Sequence, residues 1–307
     1  MKTFDTHDGL KIRFDTYACG AKTCRGVVVL LGGRSEFIEK YRETVDQLLA
    51  RKLDVVTFDW RGLGLSERLL PNRYKGYVAS YEDYLKDLTC FMDNHVSQTA
   101  HRPVIMLGHS MGGHIALRYL HDHPGRVEKA VLTSPLIDIT GPVILTKTMK
   151  MIVKIAARSG FKKYYATRAN DFDPSKKCFT GNRLTRDPHR FQQTIQMIID
   201  NPDVAIGGVT FGWLDATFNS IQHIMADGYP ESITTPVKMI SAGGDEIVSA
   251  TAQKKICRRL PKCDLVMIPN ALHELLIETE AVLEKFWETF DEFVLKSPNK
   301  RRTSLSG

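Results

Sequence analysis

Gly108-His109-Ser110-Met111-Gly112-Gly113 is the stretch that decides the fold of this chain. It follows the apolar run Pro103-Val104-Ile105-Met106-Leu107 and leads into Gly113-His114-Ile115-Ala116-Leu117-Arg118-Tyr119-Leu120, which reads as a helix. A G-x-S-x-G segment between a buried strand and a helix makes a sharp turn that exposes a serine hydroxyl above a sheet. The glycines have a mechanical reason, because strained backbone at the serine leaves no room for neighbouring side chains. Ser110 is therefore the candidate nucleophile.

Working outward, Val104–Leu107 is one of six short apolar runs, with Val27–Leu31, Val55–Phe58, Ala130–Thr133, Val237–Ile240 and Leu265–Ile268. Each is nearly all apolar, as expected of parallel strands covered on both faces. Amphipathic helices separate them: one carries Tyr41, Val45, Leu48 and Leu49, the next Tyr81, Leu85, Leu88 and Met92, and the last Leu283, Phe286, Trp287, Phe290 and Phe293. Ahead of the first run, Phe4–Thr6 and Lys11–Tyr17 flank Asp8-Gly9 and read as a β-hairpin. The alternation breaks between about Ile137 and Pro236, where helical stretches follow one another. An insertion of this kind covers the strand C-termini. The expectation is an α/β fold, a mostly parallel sheet flanked by helices, with a helical cap inserted after the sixth strand. Its parts are a core from 1–136 and 236–296, a cap over 137–235, and a disordered basic tail over 297–307.

The 307 residues are 43% hydrophobic and 25% charged, which suits a globular core and excludes disordered, collagenous and coiled-coil chains. The net charge of +7 is local. Residues Lys147 to Arg190 hold twelve basic residues and three acids, and the stretch from Lys296 adds four more cations, so the remainder is acidic. No basic segment followed by an apolar stretch opens the chain, and no apolar run has membrane-spanning length. The six cysteines are scattered, without C-x-x-C or zinc spacing, and read as free thiols of a cytoplasmic protein. No metal or cofactor is called for.

A serine hydroxyl needs a base, and the base needs an acid to fix its tautomer. Of ten histidines, His273 alone follows the last strand run, on Pro269-Asn270-Ala271-Leu272-His273-Glu274. Asp245 follows the Val237–Ile240 run and is the best acid. The alternative makes Asp245 a helix N-cap and gives its role to Glu246 or Asp138. A tetrahedral intermediate needs two N–H donors. Met111 supplies one and Arg34 the other, from the loop Gly32-Gly33-Arg34-Ser35-Glu36, whose diglycine lets the main chain, Gly33 included, pass under the substrate. The Arg34 guanidinium either meets a substrate phosphate or pairs with Glu36 or Asp59. Asp59-Trp60-Arg61-Gly62-Leu63-Gly64-Leu65-Ser66 is read as a brace for the loops around the elbow.

The elbow, the Asp-x-Arg-Gly-x-Gly-x-Ser segment and the final histidine loop resemble the α/β-hydrolase superfamily. Leu31–Glu36, Asn201–Trp213 and Leu272-His273-Glu274 resemble its bacterial lysophospholipase branch, related to the monoacylglycerol lipases, and the likeness runs from about residue 8 to 295. It implies Ser110, Asp245 and His273 as the triad, Arg34 and Met111 as oxyanion donors, and a single-chain ester, lysophospholipid or monoacylglycerol, as substrate. Thr210 and Trp213, in the branch-specific segment, are expected on the cap side of the substrate pocket. The chain departs from the lipases in having Gly32-Gly33-Arg34-Ser35-Glu36 where they have His-Gly-x-Gly-Glu. The aspartate nucleophile of dehalogenases is excluded by Ser110.

Lys147, Lys150, Lys154 and Arg158 fall on one face of a predicted helix, and Leu145, Met149, Ile152, Val153 and Ala156 on the other. Such a helix either lies on an anionic lipid surface, at the inner membrane face, or packs its apolar side on the core. Nucleic acid is not expected as a partner, since no helix-turn-helix or RNP pattern appears. Three rivals share the fold: an acyltransferase, an amide or peptide hydrolase, and a binding protein without activity.

Overall fold

The computed structural model describes residues 1–96, 102–140, 143–166 and 169–296; the tail from 297 lies outside the described residues. An opening hairpin, β1 (Lys2–Asp5) and β2 (Lys11–Tyr17), pairs antiparallel and joins the sheet through β4 (Leu53–Phe58). The parallel strands are β3 (Gly26–Leu31), β4, β5 (Val104–His109), β6 (Lys129–Thr133), β7 (Val237–Ala242) and β8 (Cys263–Ile268). The order across the eight-stranded sheet is β1-β2-β4-β3-β5-β6-β7-β8, so β5 sits in the middle. The expected α/β architecture is thus observed, with α1 (Arg42–Ala50), α2 (Tyr81–Phe91), α3 (Met111–Asp122), α7 (Ala250–Arg259) and α8 (Glu280–Val294) flanking the sheet.

Strand alternation divides the core in two. Val27, Val29, Leu31 and Met106 face one side, packed with Leu88 of α2, Ile115 of α3 and Ile256 of α7. Val28, Leu30, Ile105 and Leu107 face the other, against Leu48 of α1 and Phe286 and Phe290 of α8. Each fully buried side chain of this kind contributes about 1.5–3 kcal/mol. The one strand that departs from the expectation is β8. It forms the sheet edge, and its Leu265 and Val266 are only half-buried while Met267 is exposed.

Between β6 and β7 the chain is helical, through α4 (Val143–Ala156), α5 (Pro188–Asp200) and α6 (Phe211–Ile224). Two expectations require correction. Cys257 and Cys263 form a disulfide, because the end of α7 and the start of β8 bring their Cα atoms to 5.3 Å, while Cys19, Cys24, Cys90 and Cys178 are free. Cysteine usage therefore no longer argues for a reducing compartment. On α4 the apolar face, for which core packing and a lipid surface were both open, is split: Val153 is buried against Phe218 and Ile221, whereas Met149 and Ile152 are exposed. Lys150, expected in solvent, instead reaches Asp138 and lies over the Phe218 ring. No helix among the described residues is long and apolar enough to cross a membrane.

Candidate active site

The turn from β5 into α3 holds Ser110 at φ 50° and ψ −113°, a conformation that costs a non-glycine residue about 1–3 kcal/mol. Its surroundings impose that conformation. The Ser110 N–H donates to the Thr133 carbonyl, and the Ser110 carbonyl accepts from His114 and Leu136 N–H, each at 3.0 Å. The start of α3 is pressed so closely on the end of β3 that a Cβ at Gly112 would lie 2.3 Å from the Leu31 carbonyl oxygen. Glycine there is a packing requirement.

Asp245 and His273 come from the exits of β7 and β8. Gly243 N–H donates to the Ile268 carbonyl and Gly244 N–H to the Ala271 carbonyl, both at 2.9 Å, which ties the two exit loops together. Asp245 Oδ1 accepts from Ile247 and Val248 N–H at 2.8 and 3.0 Å, leaving Oδ2 to face His273 Nδ1 at 2.7 Å. His273 Nε2 lies 3.0 Å from Ser110 Oγ. A continuous hydrogen-bonded row thus runs from carboxylate to imidazole to hydroxyl. Burial pushes the Asp245 carboxyl up, but His273 and the two backbone amides outweigh it and hold the group below the usual carboxylate range. The alternative acid Asp138 is instead paired with Lys150. His109 packs beside His273, their ring centroids 4.9 Å apart, and burial drives its pKa down to about 4, so it adds no charge to the site.

The loop after β3 is anchored by contacts that the sequence did not disclose. Gly33 N–H and the Tyr41 hydroxyl both donate to Glu36, and Lys40 bridges Glu36 and Glu274 at 2.7 and 2.8 Å. Burial raises the Glu36 carboxyl, yet the Lys40 ammonium and the hydrogen bonds from Lys40 and Tyr41 hold it well below its ordinary value. The only signals in the sequence were the i,i+4 spacing of Glu36 and Lys40 and the position of Glu274 beside His273. The Gly33 amide is committed to Glu36, and the Met111 amide opens α3 with no acceptor within its own helix. The second glycine-rich loop does brace the first. Trp60 Nε1 donates to the Gly32 carbonyl at 2.8 Å, and Asp59 accepts from Ile38 N–H, Leu65 N–H and Arg13.

Removing Glu36 has a stated expectation. Glu36→Gln leaves Lys40 half-neutralised in a buried setting and costs about 3 kcal/mol, measured by urea unfolding at pH 7. The depressed carboxyl contributes its stability above the ordinary carboxyl range and loses it as pH falls, so wild type and variant converge in acid. A gap that persists unchanged at low pH refutes the charge argument.

Ser110 and His273 open onto a cavity of about 610 Å³. Its wall is largely apolar, built by Leu136, Ile139, Ile195, Ile198, Val204 and Ile206. Gly33, Arg34 and Trp213 also line it. Thr210 does not: its hydroxyl donates to the Gly76 carbonyl at 2.9 Å and accepts from Trp213 N–H, capping α6. The expected place of Thr210 in the pocket is corrected accordingly, since an N-cap uses its side chain on its own helix. Among the described residues, two clusters elsewhere have donor atoms close enough for a metal ion, Cys19-Cys24-Asp54 and His7-Asp8-Asp87. Their carboxylates are engaged by Arg102 and Arg61.

Comparison with known proteins agrees with this architecture. The Hydrolase_4 family, described as serine aminopeptidase S33, matches residues 22–280. Lysophospholipase L2 of Escherichia coli strain K12 is 27% identical over 282 residues, covering 90% of this chain and 81% of the relative. Monoacylglycerol lipase of Mycolicibacterium smegmatis is 23% identical over 282 residues, covering 90% of each. Among solved structures, a soluble variant of monoglyceride lipase from Saccharomyces cerevisiae in complex with a substrate analog superposes with a TM-score of 0.78 at 21% identity, over 95% of this chain and 94% of that one. The matched family, the sheet with its elbow and the row of Ser110, His273 and Asp245 agree: the chain belongs to the serine aminopeptidase S33 family of α/β hydrolases.

Proposed function

We propose that the protein is a serine carboxylic-ester hydrolase acting on single-chain glycerolipids, of the lysophospholipase or monoacylglycerol lipase kind. The observation that carries this reading is the hydrogen-bonded row of Asp245, His273 and Ser110 opening onto an apolar cavity large enough for an acyl chain. Ser110 Oγ attacks the ester carbonyl carbon while its proton passes to His273 Nε2. The oxyanion that forms is held by the N–H groups of Met111 and Arg34. The ester C–O bond then breaks, the departing alkoxide takes the proton from His273, and the acyl group stays on Ser110. Water, deprotonated by the same imidazole, releases the fatty acid. Helical segment 137–235 serves as the cap that shields this chemistry, supplying Ile195, Ile198 and Trp213 to the cavity wall.

An aminopeptidase needs a carboxylate to hold the substrate ammonium. Among the described carboxylates at the cavity, Glu36 and Glu274 share Lys40 and Asp173 pairs with Lys176, whereas Asp171 accepts only from the neutral Asn72 and Tyr165 and Glu274 Oε2 has no hydrogen-bond partner. The largely apolar wall built by Leu136, Ile139, Ile195 and Ile198 is what favours an ester with a long acyl chain. The relatives named for lysophospholipase and monoglyceride lipase activity support the same substrate class. The test is fluorophosphonate labelling located by mass spectrometry, followed by an ester panel of rising acyl length. Label on Ser110 and a preference for long acyl glycerolipids are expected; activity confined to acetyl esters sinks the lipid reading. Released fatty acid distinguishes hydrolysis from acyl transfer, which leaves a new ester.

Contact of the cap with an anionic membrane has separate support. On α4 and the turn after it, Met151 (59% exposed), Ile155 (57%) and Phe161 (49%) stand in solvent beside the exposed Lys147, Lys154 and Arg158. Apolar side chains flanked by cations suit an interface of acyl chains and anionic headgroups, each cation adding about 1 kcal/mol. Binding to phosphatidylglycerol vesicles is expected to weaken about tenfold in Met151→Asp/Ile155→Asp and to fall with added salt. Wild type that fails to sediment with such vesicles at low salt refutes the contact.

A further inference from the structure

The Arg34 guanidinium is a cation without an anion. The two carboxylates considered as its partners are occupied, Glu36 by Lys40, Tyr41 and Gly33 N–H, and Asp59 by Arg13 and two backbone amides. Among the described residues its partners are uncharged: the Gly207 carbonyl, which accepts from one terminal nitrogen, and the Trp213 ring, whose centroid lies 5.5 Å from Cζ. Its Nε is enclosed and has no hydrogen-bond partner. Tyrosines 81, 84 and 165 surround it, and burial lowers its pKa to about 10, which still leaves it charged at neutral pH. A desolvated, unpaired charge is costly to maintain. Arg34 lines the cavity onto which Ser110 opens.

We propose that Arg34 is the specificity residue for an anionic head group, binding the phosphate of a lysophospholipid whose ester carbonyl lies at Ser110. This rests on the glycerolipid reading given above and sharpens it from a choice of two lipid classes to one. The chemistry of the two molecules matches. In a lysophospholipid the phosphorus is as many bonds from the ester carbonyl carbon as the guanidinium carbon of arginine is from its own amide nitrogen. One residue thereby spans the reacting end and the head group, its amide at the oxyanion and its guanidinium on the phosphate oxygens. A monoacylglycerol offers the guanidinium hydroxyl acceptors but no negative charge, and leaves the buried charge unneutralised.

The experiment compares kcat/KM for 1-dodecanoylglycerol 3-phosphate and 1-dodecanoylglycerol, with wild type, Arg34→Lys and Arg34→Gln. Wild type is expected to prefer the phosphate ester at least tenfold. The preference should collapse in Arg34→Gln, chiefly through KM, and recover in part in Arg34→Lys. A ratio unchanged in Arg34→Gln assigns Arg34 to holding the loop against the 207–213 segment and overturns the proposal. A second measurement uses wild type alone: dodecyl phosphate should inhibit hydrolysis of a chromogenic ester at least tenfold more strongly than dodecanol. Equal inhibition overturns the proposal, as does inorganic phosphate inhibiting as well as dodecyl phosphate, which makes the site one for free phosphate. If neither glycerolipid is hydrolysed while the chromogenic ester is, the glycerolipid reading fails, and the inhibition series still decides the phosphate site.

Discussion

Ser110→Ala is expected to lower kcat on any ester the protein hydrolyses by roughly 10⁵-fold, with little change in thermal stability. The hydroxyl makes its hydrogen bond to His273 at 3.0 Å, whereas the backbone of the turn is held by Thr133, His114 and Leu136 and does not depend on the side chain. What survives is the ability of the Met111 and Arg34 amides to stabilise an oxyanion and of the apolar cavity to bind acyl chains. Adding His273→Ala to Ser110→Ala should cost little more, because the two groups act as one unit. The measurement is single-turnover and steady-state kinetics of the purified variants. Retention of more than a tenth of wild-type kcat, or of fluorophosphonate label, excludes Ser110 as nucleophile.

The second large effect is expected at Asp245→Asn, about 10⁴-fold in kcat, and its reason is geometric. Oδ1 of Asp245 is fixed as an acceptor by Ile247 and Val248 N–H. An asparagine satisfying the same two amides must keep its carbonyl there, and so turns its NH₂ toward His273 Nδ1. The imidazole is then obliged to accept at Nδ1 and carry its proton on Nε2, facing Ser110, where a base is needed. Fold and substrate binding should persist, so KM changes much less than kcat. Asp138→Asn and Glu246→Gln, the other acids considered for this role, should stay within a few-fold of wild type. Loss at Asp138 comparable to that at Asp245 moves the acid to the wrong strand exit and breaks the assignment.

The elbow, the alternation of strands and helices and the chain order of Ser110, Asp245 and His273 were legible in the sequence because each is a local property. A tight turn needs its glycines within a few positions of the serine, and a strand covered on both faces needs a short unbroken apolar run. The residue that completes a contact from far along the chain is another matter. Nothing near Lys40 announces that Glu274 lies 2.8 Å away, nor did the scattered cysteines announce that α7 and β8 would join Cys257 to Cys263. Thr210 looked like a pocket residue until the backbone made it an N-cap.

The same division explains the α4 face and the surroundings of Arg34. The helical period of α4 was evident, but which side of the helix meets the core is set by where Phe218 and Ile221 stand, and that leaves Met151 and Ile155 outside. Arg34 could be read either as paired, with Glu36 or Asp59, or as ready for a phosphate. Only packing commits those acids elsewhere and encloses the guanidinium beside Trp213. By itself the sequence determined the sheet, the turn and the groups of the hydrogen-bonded row, through constraints that act over a few residues. The tertiary structure decided which charges are neutralised and which apolar faces are covered, because those depend on partners that meet only when the chain is folded.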